Sequence, residues 1–124
     1  MNLDDTEILL GWSEIGRFWK KEFGKIPDLN AVLFLIGMRE LGQVKTSFKK
    51  DEKMDLFHIA ICRLLSYEGL YELEYLDQDG WPHYRKTSHI PPLDLKDQEL
   101  LLKSLAIRYF KEEEILGEPS QFDI

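Results

Sequence analysis

The chain has 124 residues, of which 44% are hydrophobic, and a formal net charge of −7 at pH 7. This length and composition predict one globular domain with its own core rather than a disordered chain. The one cysteine, Cys62, excludes an internal disulfide. There is no run of about 18 apolar residues and no signal-peptide pattern at the start of the sequence. We therefore expect a cytoplasmic protein without a membrane span.

The charge is distributed unevenly along the chain. Residues 1–50 carry 8 Lys and Arg against 7 Asp and Glu, whereas residues 51–124 carry 8 against 16. Nucleic-acid binding normally needs a basic surface, and the acidic half would repel phosphate. The short basic cluster is interrupted by acidic residues, and its members are Lys45, Lys49, Lys50 and Lys53. We therefore predict a protein partner or a homodimer, and no nucleic acid.

The first two helices are predicted from their caps and their apolar spacing. Asp4, with Glu7 three positions later, forms a capping box that begins a helix ending at Phe23. The apolar face of this helix consists of Ile8, Leu9, Trp12, Ile15, Trp19 and Phe23. Gly16 lies at the edge of this face, where its missing side chain would let another helix approach closely. The second helix, Leu29 to Leu41, is apolar around most of its surface, which predicts that it is buried.

A third helix is predicted from Lys49 to Tyr67, and with the second it forms the core pair. After it the apolar period changes from about 3.6 to 2, which indicates β-strands. Asp79-Gly80 predicts a two-residue hairpin turn, and the hairpin spans about residues 70–87. The register that follows pairs Gln78 with Trp81, Leu76 with His83, Tyr75 with Tyr84, and Glu74 with Arg85.

The last helix is predicted to begin at a cap on Asp94 or Asp97 and to continue to about Leu116. Residues 117–124 are expected to form a flexible C-terminal tail. The predicted fold class is therefore mainly α with one β-hairpin (α+β). It is a bundle of about four helices, with the hairpin between helices three and four, in a single domain over residues 1–116.

The hairpin half of the chain resembles the winged-helix family. A helix is followed by Glu68-Gly69-Leu70-Tyr71, a strand, a glycine turn and a second strand, over about residues 51–87. A DNA-recognition helix needs a basic face for the major groove. The presumed wing instead carries the acidic residues Glu72, Glu74, Asp77 and Asp79. The resemblance therefore implies a winged-helix-like fold that binds proteins or dimerises, or an acidic regulator of transcription.

Asp55, His58 and Cys62 form a stripe on the third helix. Their spacing places all three within about 60° of the helix circumference. Each is a zinc-ligand type, and a closed zinc site needs a fourth ligand, for which Glu40, His83 and His89 are candidates. The alternative is a core in which His58 bonds to Asp55 and Cys62 packs as a small hydrophobic residue. We expect no cofactor, and zinc is the alternative.

Glu40 interrupts an otherwise apolar face of the second helix. A buried carboxylate needs a partner, and Arg39, Arg63 or His58 could provide it. The alternative is that Glu40 lies in water at a frayed helix end. The sequence leaves both interpretations open.

The outer face of the hairpin carries a candidate interaction patch, which consists of Leu76, Trp81 and His83. In the predicted register these residues share one side with Glu74 and Arg85. A Trp beside a Leu, with charged residues around them, is typical of an interaction hot spot. The alternative is that the first or the last helix covers this face.

The sequence contains no motif that specifies a reaction. It has no nucleophile elbow, no P-loop and no dinucleotide-binding glycine pattern. We therefore predict a small cytoplasmic interaction or oligomerisation module without catalytic activity. One alternative is a metal-binding protein or small metal-dependent enzyme that uses the Asp/His/Cys stripe. The other is an acidic winged-helix-like regulator.

Overall fold

The computed structural model describes residues 3–43, 47–89 and 92–117. Within these residues the chain forms four helices and one antiparallel hairpin, which confirms the predicted fold class. In chain order they are α1 (Asp5–Phe23), α2 (Leu29–Leu41), α3 (Lys50–Ser66), β1 (Tyr71–Leu76), β2 (Pro82–Lys86) and α4 (Leu95–Glu112). Lys45 of the basic cluster and residues 118–124 of the predicted tail lie outside the described residues.

Three of the four helices, α1, α2 and α4, begin where an Asp side chain accepts a hydrogen bond from the first turn. The Asp4 carboxylate accepts a bond from the Glu7 amide at 2.8 Å, and the Glu7 side chain closes the predicted capping box. Asp28 and Asp94 cap α2 and α4 in the same way. The last helix ends at Glu112, four residues before the predicted end at Leu116.

The core forms where α2 packs on α3 and where α1 packs on α4. Its largest fully buried side chains are Ile15, Val32, Ile36, Leu56, Cys62, Leu64, Ile107, Tyr109 and Phe110. Two glycines allow the close contacts. A Cβ atom on Gly37 would lie 2.4 Å from the Leu56 carbonyl oxygen. A Cβ atom on Gly11 would lie 2.7 Å from the Ile107 side chain.

The prediction for Gly16 is not met within the described chain. Apart from its chain neighbours and the backbone of its own helix, an added Cβ there would have no atom of the described residues within 4 Å. Leu9 and Phe23, predicted on the apolar face of the first helix, are both exposed. The buried arc of α1 is centred instead on Ile8, Gly11, Ile15 and Trp19.

The predicted hairpin register is wrong. The turn is a three-residue loop closed by the Asp77–Trp81 backbone pair, with Gly80 at a φ of +85°. The strands pair Tyr71 with Lys86, Glu72 with Arg85, Leu73 with Tyr84, Tyr75 with His83, and Leu76 with Pro82. A bulge between Leu73 and Tyr75 adds a second shift. Arg85 therefore forms its ion pair with Glu72 rather than with Glu74.

In the part of the chain that the structure covers, no helix is both long enough and apolar enough to cross a bilayer.

Candidate functional site

A polar cleft of about 410 Å³ lies between α3 and the hairpin. It arises because Gly69, at a φ of +72°, reverses the chain after α3 and returns the strands along that helix. We call it the acidic cleft. It is lined by Glu52, Asp55, His58, Ile59, Asp77, Trp81, Pro82, His83 and Tyr84.

Asp77 organises the hairpin wall of the acidic cleft. Its Oδ1 accepts hydrogen bonds from the backbone amides of Asp79 at 2.9 Å and Trp81 at 3.0 Å. Its Oδ2 lies 2.9 Å from Nε2 of His83. The His83 bond first, and then the amide bonds, hold the pKa of Asp77 below its ordinary value. Asp77 is thus an ionised anchor for the turn at neutral pH.

Aromatic side chains continue the hairpin wall. The His83 ring stacks on Tyr75, with ring centroids 4.6 Å apart and planes 6° from parallel. Trp81 is half-buried at the base of the turn. The Gln43 amide donates a hydrogen bond of 2.5 Å to the Asp79 carbonyl, which ties the tip of the hairpin to the end of α2. The wall is therefore fixed at both its turn and its strands.

The observed strand register separates the members of the candidate interaction patch, which are Leu76, Trp81 and His83. Trp81 and His83 line the acidic cleft together. Leu76 pairs with Pro82, whereas Tyr75 pairs with His83. Adjacent cross-strand pairs lie on opposite faces of a sheet, so Leu76 and His83 point to different sides.

The stripe on α3 is only partly brought together. Asp55 and His58 are exposed and line the acidic cleft, while Cys62 is buried. His58 Nε2 lies 3.5 Å from Cys62 Sγ, so His58 has a thiol partner one turn along the helix. Burial raises the pKa of Cys62 to about 11. Among residues 3–43, 47–89 and 92–117 no three His, Cys, Asp or Glu side chains are grouped to hold a metal ion. The zinc site stays a prediction.

Glu40 is partnered inside the molecule, as the first of its two interpretations required. Its carboxylate, 20% exposed, lies 3.1 Å from Nε of Arg63 on α3. The Tyr109 hydroxyl on α4 donates a 2.8 Å hydrogen bond to the other oxygen. Burial, together with the Glu40 carboxylate, raises the pKa of Tyr109 above its ordinary value. Glu40 therefore connects three helices.

Asp77, Tyr84 and Glu52 are polar residues of this site that the sequence reasoning missed. Asp77 had a usable signal, because an Asp side chain in a turn often accepts a hydrogen bond from the backbone amide two residues later, which is an Asx turn. Tyr84 had none, since its position depends on how the hairpin packs on α3. Burial and then the nearby Glu40 charge raise the pKa of Tyr84 to about 12.

Comparisons with known proteins add no relative, because no protein family, no curated protein and no solved structure matches this chain.

Proposed function

We propose that this chain is a small, non-catalytic binding module whose acidic cleft receives a lysine or arginine side chain of a protein partner. The lining of the cleft is the observation that carries the proposal. Asp55 and Asp77 contribute carboxylates, and none of the described lining residues is Lys or Arg. The Glu52 side chain also lines the cleft, and it accepts a 2.9 Å hydrogen bond from the Lys49 backbone amide. A cation from outside the chain would meet the exposed Asp55 carboxylate at the wall of the cleft.

Trp81 supplies the second attraction for a cation. A guanidinium or ammonium group over an indole ring is attracted by the ring quadrupole, by about 0.5–1 kcal/mol at exposed sites. Here the ring shares its cleft with Asp55. The cleft volume of about 410 Å³ lies at the small end of ligand pockets. It suits the end of one long side chain.

The state of the nearby nucleophile favours binding over catalysis. The reactive form of cysteine is the thiolate, and a pKa of about 11 keeps Cys62 as the thiol at neutral pH. Tyr84, with a pKa of about 12, also keeps its proton. Neither group is prepared to act as a nucleophile or base.

The test is an NMR titration of the full chain with a short peptide that carries one arginine between glycines. The same peptide with uncharged citrulline in place of arginine is the matched control. We expect the Trp81 indole N–H resonance to shift with the arginine peptide only, with a Kd of order 1 mM that weakens as salt is added. Equal shifts with both peptides, or none with either, would contradict the proposal.

A pair of variants locates the binding on the cleft. Asp55→Asn removes a cleft carboxylate, and we expect affinity for the arginine peptide to fall about threefold to fivefold, the upper part of the range for an exposed ion pair. Asp51→Asn removes the same charge from the first turn of α3, outside the cleft lining. It should leave the affinity unchanged.

A metal-binding function is the second candidate, and the His58–Cys62 contact favours it. Their ligand atoms lie 3.5 Å apart, close enough for one zinc ion to reach both. Elemental analysis of untagged protein decides this candidate. One zinc per chain and a melting temperature lowered by a chelator would support it, whereas trace metal and unchanged melting would remove it.

A further inference from the structure

One face of α1 carries Leu9, Trp12 and Phe23, and the described residues cover it only at Trp12, which is half-buried against the core. We call it the α1 strip, and it consists of Asp5, Leu9, Trp12, Gly16, Lys20 and Phe23. These residues follow one another at intervals of three or four, so they form one line along the helix. Leu9 is 68% exposed and Phe23 is 52% exposed. The strip lies beside the buried arc of α1 that contacts α4.

Gly16 at the centre of the α1 strip leaves room for a second helix. Apart from its chain neighbours and the backbone of α1 itself, no atom of the described residues lies within 4 Å of the Cβ position there. A groove of about 320 Å³ opens beside it, lined in part by Trp12, Lys20 and Ile26. Glycine inside a helix is unfavourable compared with alanine. Close approach by a helix from outside the chain would give this glycine a role, as Gly37 has inside it.

We propose that the α1 strip is a self-association surface, on which a second copy of this chain packs antiparallel with the two Gly16 residues at the crossing point. In a two-fold interface centred on Gly16, residue i of one copy lies opposite residue 32 − i of the other. Leu9 then meets Phe23, which are the two exposed apolar residues at the ends of the strip. Trp12, whose ring has the Lys103 ammonium of its own chain 5.1 Å from the centroid, then lies opposite Lys20 of the other copy.

Charge selects a second copy in this orientation. The charged residues on the α1 strip are Asp5 in the first turn of the helix and Lys20 in its last turn, while Glu7 and Lys21 lie on another face. Antiparallel packing places the acidic end of each copy beside the basic end of the other. It also places opposite ends of the helix dipoles together. Parallel packing would bring like charges together at both ends.

The surface is small, so the dimer is expected to be weak. The 19 residues of α1 extend over about 28 Å. One helix from each chain gives an interface at the low end of the size range for specific complexes. The inference does not rest on the acidic cleft, which lies between α3 and the hairpin.

Sedimentation equilibrium of the untagged chain tests the proposal. We expect the mean mass to rise from 14.7 kDa toward about twice that value as the concentration rises from about 10 to 500 µM. Leu9→Glu should abolish this rise. Leu10→Glu is the matched control, because Leu10 is the next residue, is 60% exposed, and lies outside the strip. A constant monomer mass, or equal effects of the two variants, would overturn the proposal.

Disulfide trapping tests the orientation without relying on Leu9→Glu. Chains with Leu9→Cys are mixed with chains with Phe23→Cys under mild oxidation, while the native Cys62 stays buried. Antiparallel packing gives the mixed crosslink between position 9 and position 23. Self-crosslinks of each variant in place of the mixed one would overturn the antiparallel arrangement.

Discussion

Gly37 in α2 and Gly16 in α1 are both helix-interior glycines, and their surroundings are opposite. A Cβ atom on Gly37 would lie 2.4 Å from the Leu56 carbonyl oxygen, while one on Gly16 would meet no described atom within 4 Å. An interior glycine costs about 1 kcal/mol relative to alanine. At Gly37 the close packing of α2 on α3 offsets that cost. At Gly16 nothing in the described fold does so, and this difference separates a closed region of the molecule from an open one.

Polar and apolar side chains also differ between the closed region around Gly37 and the open region around Gly16. On the closed side, the Glu40 carboxylate is neutralised by Arg63 and bonded by Tyr109. On the open side, Leu9 and Phe23 have large exposed surfaces. The closed region therefore accounts for stability, and the open surfaces are where binding is to be sought.

The largest expected effect is that of Gly37→Ala. The new methyl group would meet backbone rather than a flexible side chain, so α2 and α3 must move apart. We expect the free energy of unfolding to fall by about 2–4 kcal/mol, at the upper end of overpacking effects. Urea denaturation followed by circular dichroism measures it. An unchanged midpoint would show that the two helices are less tightly packed than the structure indicates.

The next effect is that of Glu40→Ala, which leaves Arg63 and Tyr109 without their shared acceptor. Hydrogen bonds to charged groups contribute about 1.5–3 kcal/mol, and we expect a loss of about 2 kcal/mol. Glu40→Gln keeps an oxygen for the Tyr109 hydroxyl and should lose about half as much. Equal losses for both variants would show that the charge alone matters. The measurement is the same urea denaturation.

The helices could be predicted from sequence because their signals are local. Asp4, Asp28 and Asp94 each precede a helix by one residue and each accepts a bond from its first turn. The position of the hairpin could be predicted from the same kind of local signal, but the pairing register of its two strands could not. Gly80 has positive φ in either a two-residue or a three-residue loop, and the Asp77 side-chain bonds favour the longer one.

The candidate site could be predicted only in pieces. Helical spacing placed Asp55 and His58 on one side of α3, and both line the acidic cleft. Their approach to Trp81 and His83 depends on tertiary packing of the hairpin, which no local pattern encodes. The same holds for Glu40, since Tyr109 is 69 residues away in the chain.

On the open side, Gly16→Ala is expected to stabilise the monomer. The methyl group enters free space, and alanine favours the helix by about 0.5–1 kcal/mol over glycine. Urea denaturation at low micromolar concentration measures this gain without a contribution from self-association. A loss of stability would mean that another part of the chain covers Gly16, and the contrast with Gly37 would fail.

The smallest effect concerns the hairpin, which is held more by polar bonds than by burial. The pKa of Asp77 in the folded chain lies below its ordinary value of 3.8, so ionised Asp77 stabilises the turn above that pH. This contribution is lost as pH falls through the lowered pKa. We expect the Trp81 indole N–H resonance to move over that range in the native chain but not in Asp77→Asn. Asp79→Asn removes a charge from the same turn and leaves the bonds to Asp77 in place, so it should keep the transition. If the resonance still moves with pH in Asp77→Asn, another group causes the transition. The turn would then be held by packing, as the α2–α3 contact around Gly37 is.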